Sequence, residues 1–235
     1  MLWVTYGDLS KLSTGKSKMI DELSQSRIIP VITLESLDDA EPLALALKSS
    51  GMKILEITLR TPIGMAAAKL LAQDSELIVG IGSVVSQNEL EIAKSNGIKF
   101  AVSPGTNLNL IRESVLLGLQ YLPGISTPSE IMQCLDEGIE FMKYFPAEIL
   151  GGINGLKAMS APFPSVKFVP TGGLSEKNFI SYLKCKNVVA IGGSWMVSSD
   201  LIQNKDYQSI SSIAQTAMNL VAHEVNQQDP VKDIL

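Results

Sequence analysis

The feature that most limits the fold of this 235-residue chain is a regular alternation of short apolar runs with amphipathic stretches. The apolar runs recur roughly every 20–27 residues for eight cycles, as expected for strands joined by helices. The predicted strands are Ile28–Thr33, Lys53–Leu59, Glu76–Ile81, Lys99–Val102, Leu119–Leu122, Ile139–Tyr144, Val166–Val169 and Val188–Ile191. This strict alternation predicts a (β/α)8 TIM barrel. A doubly wound open sheet, which usually has fewer or less regular repeats, is the alternative.

The stretches between the strands carry helical patterns with recognisable ends. The predicted helices are Leu37–Ser50, Ile63–Gln73, Gln87–Asn96, Leu108–Leu116, Pro128–Glu137, Ile153–Ser160, Ser175–Leu183 and Tyr207–Glu224. Ser86 and Ser175 are predicted N-caps, and Pro128 fits a first helical turn. Gly51 and Gly97 follow helices as C-cap glycines.

No linker interrupts the pattern, so we expect one barrel domain over residues 27–225. An N-terminal helical extension, residues 1–26, precedes it, and residues 226–235 form a C-terminal tail. A net charge of −5 argues against a surface for nucleic acid or membranes. One histidine and two isolated cysteines argue against a histidine-based triad or a metal site, and reduced thiols fit a cytoplasmic protein.

One lysine lies where a soluble protein rarely places one. Lys143 closes the apolar run Ile139–Tyr144. Alternation along a strand puts Ile139, Phe141 and Lys143 on one face. Among aromatic side chains and away from water the charged ammonium is disfavoured, and a neutral amine can form a Schiff base with a ketone. The alternative is a strand-end lysine that extends to solvent.

The second predicted strand places a carboxylate and an arginine on one face. With a period of two, Leu55 and Ile57 face one way, while Glu56 and Arg60 face the other and point into the barrel. Burying such charges is costly unless they are paired or used in binding. Two interpretations remain open: a structural ion pair, or a general acid–base carboxylate below an arginine that holds an anionic substrate.

Glycine pairs follow the last two predicted strands. Gly172 and Gly173 come after the seventh strand, and Gly192 and Gly193 come after the eighth. Loops at these two places in barrels often bind phosphate, because glycine lets backbone N–H groups approach the ligand closely. The pattern predicts a phosphate site, with ordinary turns as the alternative. The chain lacks a nucleotide-binding fingerprint, so no nucleotide cofactor is expected.

Six short motifs also occur in the order found in one enzyme family. They are Glu56–Thr61, Ser103–Gly105, Pro123–Thr127, Lys143–Glu148, Pro170–Gly173 and Gly192–Trp195. Over roughly residues 27–200 the chain closely resembles the 2-keto-3-deoxy-6-phosphogluconate (KDPG) aldolases, a family that includes 4-hydroxy-2-oxoglutarate (KHG) aldolases. The resemblance implies a class I aldolase, commonly a homotrimer, that needs no metal or other cofactor. It would cleave a phosphorylated keto acid to pyruvate and glyceraldehyde 3-phosphate, or KHG to pyruvate and glyoxylate.

The resemblance also implies a role for individual residues. Lys143 matches the Schiff-base lysine, and Glu56 matches the carboxylate that transfers protons. Arg60 matches the residue that binds the pyruvyl carboxylate, helped by the hydroxyl of Ser83. The other matches are Pro104, Phe145 and Thr171 in the substrate pocket, and Gly172, Gly173, Gly193 and Ser194 at the phosphate.

The chain departs from the family pattern after the third strand. The family typically has Gly-Ala-Gly-Thr where this chain has Gly80–Ser83. Ser83 keeps the hydroxyl, whereas Ile81 is expected to add volume near the barrel interior and narrow the pocket. Tyr144, which replaces a common phenylalanine, is expected to face outward. Two alternatives need no catalytic Lys143: a sugar-phosphate epimerase or isomerase, and a phosphosugar-binding protein.

Overall fold

The structure is a computed structural model that describes residues 22–23 and 25–228. Most of the predicted N-terminal extension and C-terminal tail therefore lies outside the described residues. The strands are β1 (Ile28–Ile32), β2 (Ile54–Thr58), β3 (Ile78–Gly82), β4 (Phe100–Val102), β5 (Gln120–Leu122), β6 (Gly124–Ile125), β7 (Phe141–Tyr144), β8 (Lys167–Pro170) and β9 (Ile191–Gly193). The α-helices are α1 (Ala40–Ser49), α2 (Gly64–Leu71), α3 (Gln87–Ser95), α4 (Leu108–Leu117), α5 (Pro128–Asp136), α6 (Gly152–Ser160), α7 (Phe179–Leu183), α8 (Ser199–Gln203) and α9 (Tyr207–Gln228). Short 3-10 helices are Leu37–Asp39 and Trp195–Val197.

The strands pair in parallel and form two sheets. One sheet has the order β5-β4-β3-β2-β1-β9, and the other has the order β6-β7-β8. Only Pro123 separates β5 from β6. An isolated parallel bridge between Thr171 and Gly192 joins the end of β8 to β9. The predicted α/β architecture with parallel strands is thus confirmed, and none of the helices in the described part could cross a membrane.

Alternation along the strands divides the buried apolar side chains into two clusters. The larger cluster includes Leu55, Ile57, Met142 and Tyr144 and lies where the helices cover the strands. The smaller cluster defines what we call the inner face, and its strand residues are Ile29, Ile54, Phe100, Val102, Leu122, Phe141 and Val169. Glu56 and Lys143 each follow an inner-face residue by two positions, so both lie on the inner face, which was predicted for Glu56.

Most predicted helix signals are confirmed by the backbone. Ser86 caps α3 in a reciprocal capping box with Glu89. Pro128 occupies the first turn of α5. Gly51 and Gly97 have φ angles of 89° and 76° after their helices, which are conformations that favour glycine.

The helix predicted from Ser175 begins later. Helix α7 starts at Phe179 with Asn178 as its N-cap residue. The Ser175 backbone N–H donates to Oδ1 of Asn178 at 2.8 Å, and Nδ2 of Asn178 donates to the Gly173 carbonyl at 3.4 Å. The asparagine side chain therefore stabilises a turn over residues where the sequence pattern predicted a helix.

The last strand was also predicted too early. It was placed at Val188–Ile191, but β9 runs from Ile191 to Gly193, and Val188 makes only an isolated bridge to Phe168. The prediction followed β-branched residues and treated the glycines as the end of the strand. Gly192 and Gly193 instead pair with Ile29 and Pro30 of β1.

Candidate active site

The centre of the site is a buried pair of opposite charges. Lys143 Nζ on β7 lies 3.3 Å from Glu56 Oε1 on β2. The two strands belong to different sheets, so the pair spans the space between inner faces. Lys143 is 4% exposed and Glu56 is 3% exposed, so the lysine does not extend to solvent. Such a pair brings an amine nucleophile and a proton-transferring carboxylate within reach of one another.

Two neighbouring residues shape the space around this pair. Lys143 Nζ lies 5.1 Å from the centroid of the Phe145 ring, a distance at which the ring stabilises a cation. A Cβ added to Gly82 on β3 would collide with the Glu56 carboxylate. Glycine at position 82 is therefore required for Glu56 to occupy its position.

An arginine and a hydroxyl lie above the ion pair, at the carboxyl ends of β2 and β3. Arg60 lies beyond the end of β2 and is exposed, and its Nε donates to Ser83 Oγ at 3.2 Å. Ser83 has a φ of 62°. Glu56 pairs with Lys143, so the alternative of a buried structural Glu56–Arg60 pair is wrong. The exposed guanidinium keeps N–H groups available for a carboxylate.

Two expectations for flanking side chains have different outcomes. Ile81 is fully buried in the large cluster between the strands and the helices, so the expectation that it narrows the pocket is wrong. Gly80 and Gly82 take the inner-face positions beside it, which follows from the period of two.

Tyr144 faces outward as predicted, and its hydroxyl donates to the Leu150 carbonyl at 2.8 Å. Burial raises the pKa of Tyr144.

A cavity of about 560 Å³ opens above the ion pair. Its lining includes these predicted site residues: Arg60, Phe145, Thr171, Gly172, Gly173, Gly193 and Ser194. Lys143, Glu56 and Ser83 do not line it. Pro104, which was predicted in the pocket, is exposed after β4 and does not line this cavity.

Backbone N–H groups of the glycine loop are available to a ligand. Gly172 and Gly173 have φ angles of 97° and 81°. Among the turns and loops of the described residues, no backbone hydrogen bond uses the N–H of Gly173 or Leu174. The carbonyls of Thr171 and Gly172 accept bonds of 2.8 and 3.1 Å from the N–H groups of Ala147 and Glu148. The loop thus presents N–H donors on the cavity side, an arrangement suited to an anion.

Close packing explains the glycines of β9. A Cβ on Gly192 would collide with Thr171 Oγ1, and a Cβ on Gly193 would collide with the ring of Trp195. The sequence pattern predicted these residues as a loop, but they bring β9 close to its neighbours. The Trp195 ring also packs on Phe179 of α7, with centroids 5.2 Å apart.

Two hydroxyls on the inner face form a contact that sequence reasoning did not predict. Thr33 follows β1 and Thr58 ends β2, and their Oγ1 atoms are 2.8 Å apart. Thr33 also lines the cavity. Thr58 lies two positions after Glu56, so strand alternation puts both on the inner face. Thr33 lies four positions after the inner-face residue Ile29 and points to the same side. Over residues 22–23 and 25–228, no group of three or more histidine, cysteine, aspartate or glutamate side chains could hold a metal ion.

Comparison with protein families gives a match over most of the chain. Residues 19–213 match the family model described as KDPG and KHG aldolase. The 2-dehydro-3-deoxy-phosphogluconate aldolase of Dickeya dadantii is 40% identical over 197 residues, which cover 83% of this chain and 92% of that protein. The KHG/KDPG aldolase of Escherichia coli K12 gives the same identity and coverage.

Solved structures give the same result for the fold. The KDPG aldolase of Legionella pneumophila, with pyruvate captured as a covalent carbinolamine intermediate, has a TM-score of 0.82 and 37% identity. That match covers 86% of this chain and 98% of the other. The KDPG aldolase of Zymomonas mobilis with 3-phosphoglycerate has a TM-score of 0.80 and 35% identity, covering 85% and 94% of the two chains.

Proposed function

The chain belongs to the KDPG and KHG aldolase family, and we propose that it cleaves KDPG to pyruvate and glyceraldehyde 3-phosphate through a Schiff base on Lys143. It is a class I aldolase, a carbon–carbon lyase. The observation that carries the residue assignment is the 3.3 Å contact between Lys143 Nζ and Glu56 Oε1. A buried amine beside a carboxylate supplies the nucleophile and the proton carrier that this chemistry needs.

In the first half of the reaction, Lys143 passes its ammonium proton to Glu56, and the neutral amine attacks the C2 carbonyl carbon. A proton then moves from the nitrogen to the C2 oxygen, which gives a carbinolamine. Glu56 donates a proton to the C2 hydroxyl, water leaves, and the nitrogen lone pair forms the C=N bond of an iminium ion. The contact between the two side chains lets one carboxyl group move each proton without rearrangement. Pyruvate captured as a carbinolamine in the Legionella relative supports this route.

In the second half, Glu56 removes the proton of the C4 hydroxyl, directly or through water. The C3–C4 bond breaks, its electrons flow into the iminium, and glyceraldehyde 3-phosphate leaves. The enamine that remains is protonated at C3, and water then releases pyruvate and regenerates Lys143. The iminium is the electron sink, so the mechanism uses only this chain's own residues.

Two anion sites orient the substrate. Arg60 binds the pyruvyl carboxylate bidentately beside Ser83, to which its Nε is already bonded at 3.2 Å. The free N–H groups of Gly173 and Leu174, with Gly172 and Ser194 beside them, bind the phosphate. Phe145 and Thr171 line the cavity between them, and Pro104 contacts the substrate, as the family resemblance implies. The Zymomonas relative with 3-phosphoglycerate supports binding of a phosphorylated three-carbon fragment.

KHG is the second candidate substrate. The E. coli relative is a KHG/KDPG aldolase, and KHG shares the keto acid half that Lys143, Glu56 and Arg60 would engage. KHG carries a carboxylate directly on C4 in place of the longer phosphorylated arm, so it lacks the group that would reach the glycine-loop N–H groups. We therefore expect a higher kcat/KM for KDPG than for KHG.

We also propose the domain architecture, the cellular compartment and the oligomeric state of the protein. Residues 27–225 form one domain in which the two sheets close into a full (β/α)8 barrel. Support comes from the bridge between Thr171 and Gly192 and from the single residue between β5 and β6. The protein acts in the cytoplasm, which fits two free cysteine thiols. It assembles as a homotrimer, as the family resemblance implies, which light scattering after size-exclusion chromatography tests.

The test of the proposed function is reduction of the protein with borohydride in the presence of pyruvate, followed by peptide mass spectrometry. We expect one stable pyruvyl adduct on Lys143, and none in Lys143→Ala. The same preparation should release pyruvate from KDPG in a coupled assay. An adduct on another lysine, or no adduct in a folded protein, would contradict the assignment of Lys143.

A further inference from the structure

Glu148 has no role in the proposed mechanism, although it closes the motif that begins with Lys143. It lies in the segment between β7 and α6, and its side chain accepts a hydrogen bond at Oε1 from the Tyr182 hydroxyl of α7. Tyr182 is fully buried. Burial, followed by the bond to Glu148, raises the pKa of Tyr182, so the hydroxyl stays protonated and donates. The bond therefore links the segment after the catalytic strand to the helix after the glycine loop.

Glu148 also contacts the glycine loop directly. Its backbone N–H donates to the Gly172 carbonyl at 3.1 Å. A Cβ placed on Gly173 would lie 2.6 Å from both Cβ and Cγ of Glu148. The Cβ and Cγ atoms of Glu148 therefore pack against Gly173, and a displacement of Glu148 would displace the glycine loop.

Helix α7 holds the same loop from its other end. Asn178 donates from Nδ2 to the Gly173 carbonyl at 3.4 Å. Its Oδ1 accepts from the Ser175 N–H at 2.8 Å. The loop is thus bonded to the β7–α6 segment on one side and to α7 on the other, and the bond from Tyr182 to Glu148 closes the ring.

We propose that Glu148 and Tyr182 are a positioning pair that fixes the N–H groups of Gly173 and Leu174 at the distance from Lys143 that a phosphorylated substrate requires. The inference deepens the proposed function and rests on it. Neither side chain of the pair lines the cavity, so both act through the loop. Because KHG has no phosphate, the pair determines preference between the two substrates and leaves the chemistry at Lys143 unchanged.

The charge of Glu148 makes its position important. The residue is exposed, and a carboxylate beside a phosphate-binding loop would repel the anion. Tyr182 holds one carboxylate oxygen on the α7 side. Loss of the tyrosine hydroxyl would therefore both loosen the loop and free a negative charge near the phosphate.

The experiment compares kcat and KM for KDPG and KHG in four variants. Tyr182→Phe and Glu148→Ala each remove the bond, whereas Glu148→Gln keeps an oxygen acceptor at the same place. Tyr207→Phe is the matched control, because Tyr207 donates an equivalent bond of 2.7 Å to Asp39 away from the cavity lining. Glu148→Ala changes an exposed side chain and is therefore expected to fold. It tests the same hydrogen bond if Tyr182→Phe fails to fold.

We expect both bond-removing variants to raise KM for KDPG about tenfold, because small misplacement of a binding loop has large kinetic effects. Their kcat/KM for KHG should stay within about twofold of the parent, and Glu148→Gln and Tyr207→Phe should keep the parent KM for KDPG. An unchanged KM for KDPG in both bond-removing variants would overturn the proposal, as would an equal loss for both substrates.

A readout without turnover separates this inference from the proposed function. Inorganic phosphate binding, measured by isothermal titration, should weaken in Tyr182→Phe and not in Tyr207→Phe. Pyruvate trapping on Lys143 should be the same in all four variants. Failed trapping in the parent protein would reject the proposed function alone, while equal phosphate affinity in parent and Tyr182→Phe would reject the positioning pair.

Discussion

Lys143 Nζ and Glu56 Oε1 lie 3.3 Å apart although 87 positions separate the two residues in the chain. Both side chains are almost completely buried, so each replaces the water that would otherwise solvate its partner. Removing one member of such a pair leaves the other charge buried without compensation, which is strongly destabilising. Variants at either position therefore need a measurement of stability beside the measurement of activity.

Lys143→Met should abolish cleavage and pyruvate trapping, because the thioether side chain has similar length but no amine. The unpaired Glu56 should lower the free energy of unfolding by about 3–5 kcal/mol. The control is Lys167→Met at the start of β8, which should trap pyruvate normally. Borohydride trapping and urea unfolding measure the two effects, and residual turnover above about a thousandth of the parent rate would contradict the nucleophile assignment.

Glu56→Gln separates proton transfer from placement. The amide keeps the size of the carboxylate and an acceptor for Lys143, but it cannot carry the proton. We expect kcat for KDPG cleavage to fall by about 10²–10⁴, the usual contribution of general acid–base catalysis. Pyruvate should still be trapped on Lys143, more slowly. A kcat within about twofold of the parent value would assign the proton transfer to another group.

The inner-face position of Glu56 was predictable because strand alternation is a strong local rule. A period of two placed Glu56 inside the barrel and put Lys143 on one face with Phe141. The contact between Glu56 and Lys143 was not predicted, because it joins strands that lie far apart in the sequence. The same rule, applied to β3, shows that Ile81 points to the helices. The expectation for Ile81 was wrong because it came from a family comparison and not from strand parity.

Other features depend on contacts that no local pattern encodes. Gly192 and Gly193 have low strand propensity, and they form β9 because larger residues would collide with Thr171 and Trp195. The bond between Tyr182 and Glu148 joins a helix to a loop 34 positions away. Neither residue stands out in composition or periodicity, so only the folded chain reveals the pair.

Arg60→Ala should raise KM for KDPG and KHG alike, because both substrates carry the pyruvyl carboxylate. We expect about a tenfold to hundredfold rise, typical for loss of a charge-assisted bidentate contact. Ser83→Ala should have a smaller effect in the same direction, since it removes only the 3.2 Å bond that orients the guanidinium. Initial-rate kinetics with both substrates measure this. A rise of KM for KDPG alone would indicate that Arg60 binds the phosphate and not the pyruvyl carboxylate.

The raised pKa of Tyr207 predicts how the stability of the folded protein falls at alkaline pH. Burial, followed by the bond to Asp39, raises the pKa of Tyr207 from 10.0 to about 12. A raised pKa contributes stability that is fully present below the unfolded value of 10.0 and is lost as pH rises toward about 12. Tyr207→Phe should therefore show a shallower fall of Tm between those limits. Equal slopes in thermal scans of the parent and the variant would contradict the shift.

Gly173→Ala tests the glycine loop against a glycine with the same backbone strain. Gly173 and Gly97 have φ angles of 81° and 76°, so alanine at either position should cost about 1–2 kcal/mol of stability. A Cβ at Gly97 meets nothing within 4 Å, whereas a Cβ at Gly173 lies 2.6 Å from Glu148. Only Gly173→Ala must therefore displace the loop. We expect it to raise KM for KDPG and to weaken phosphate binding, while Gly97→Ala loses stability alone. Matching KM values in the two variants would show that the N–H groups of the loop do not bind the phosphate.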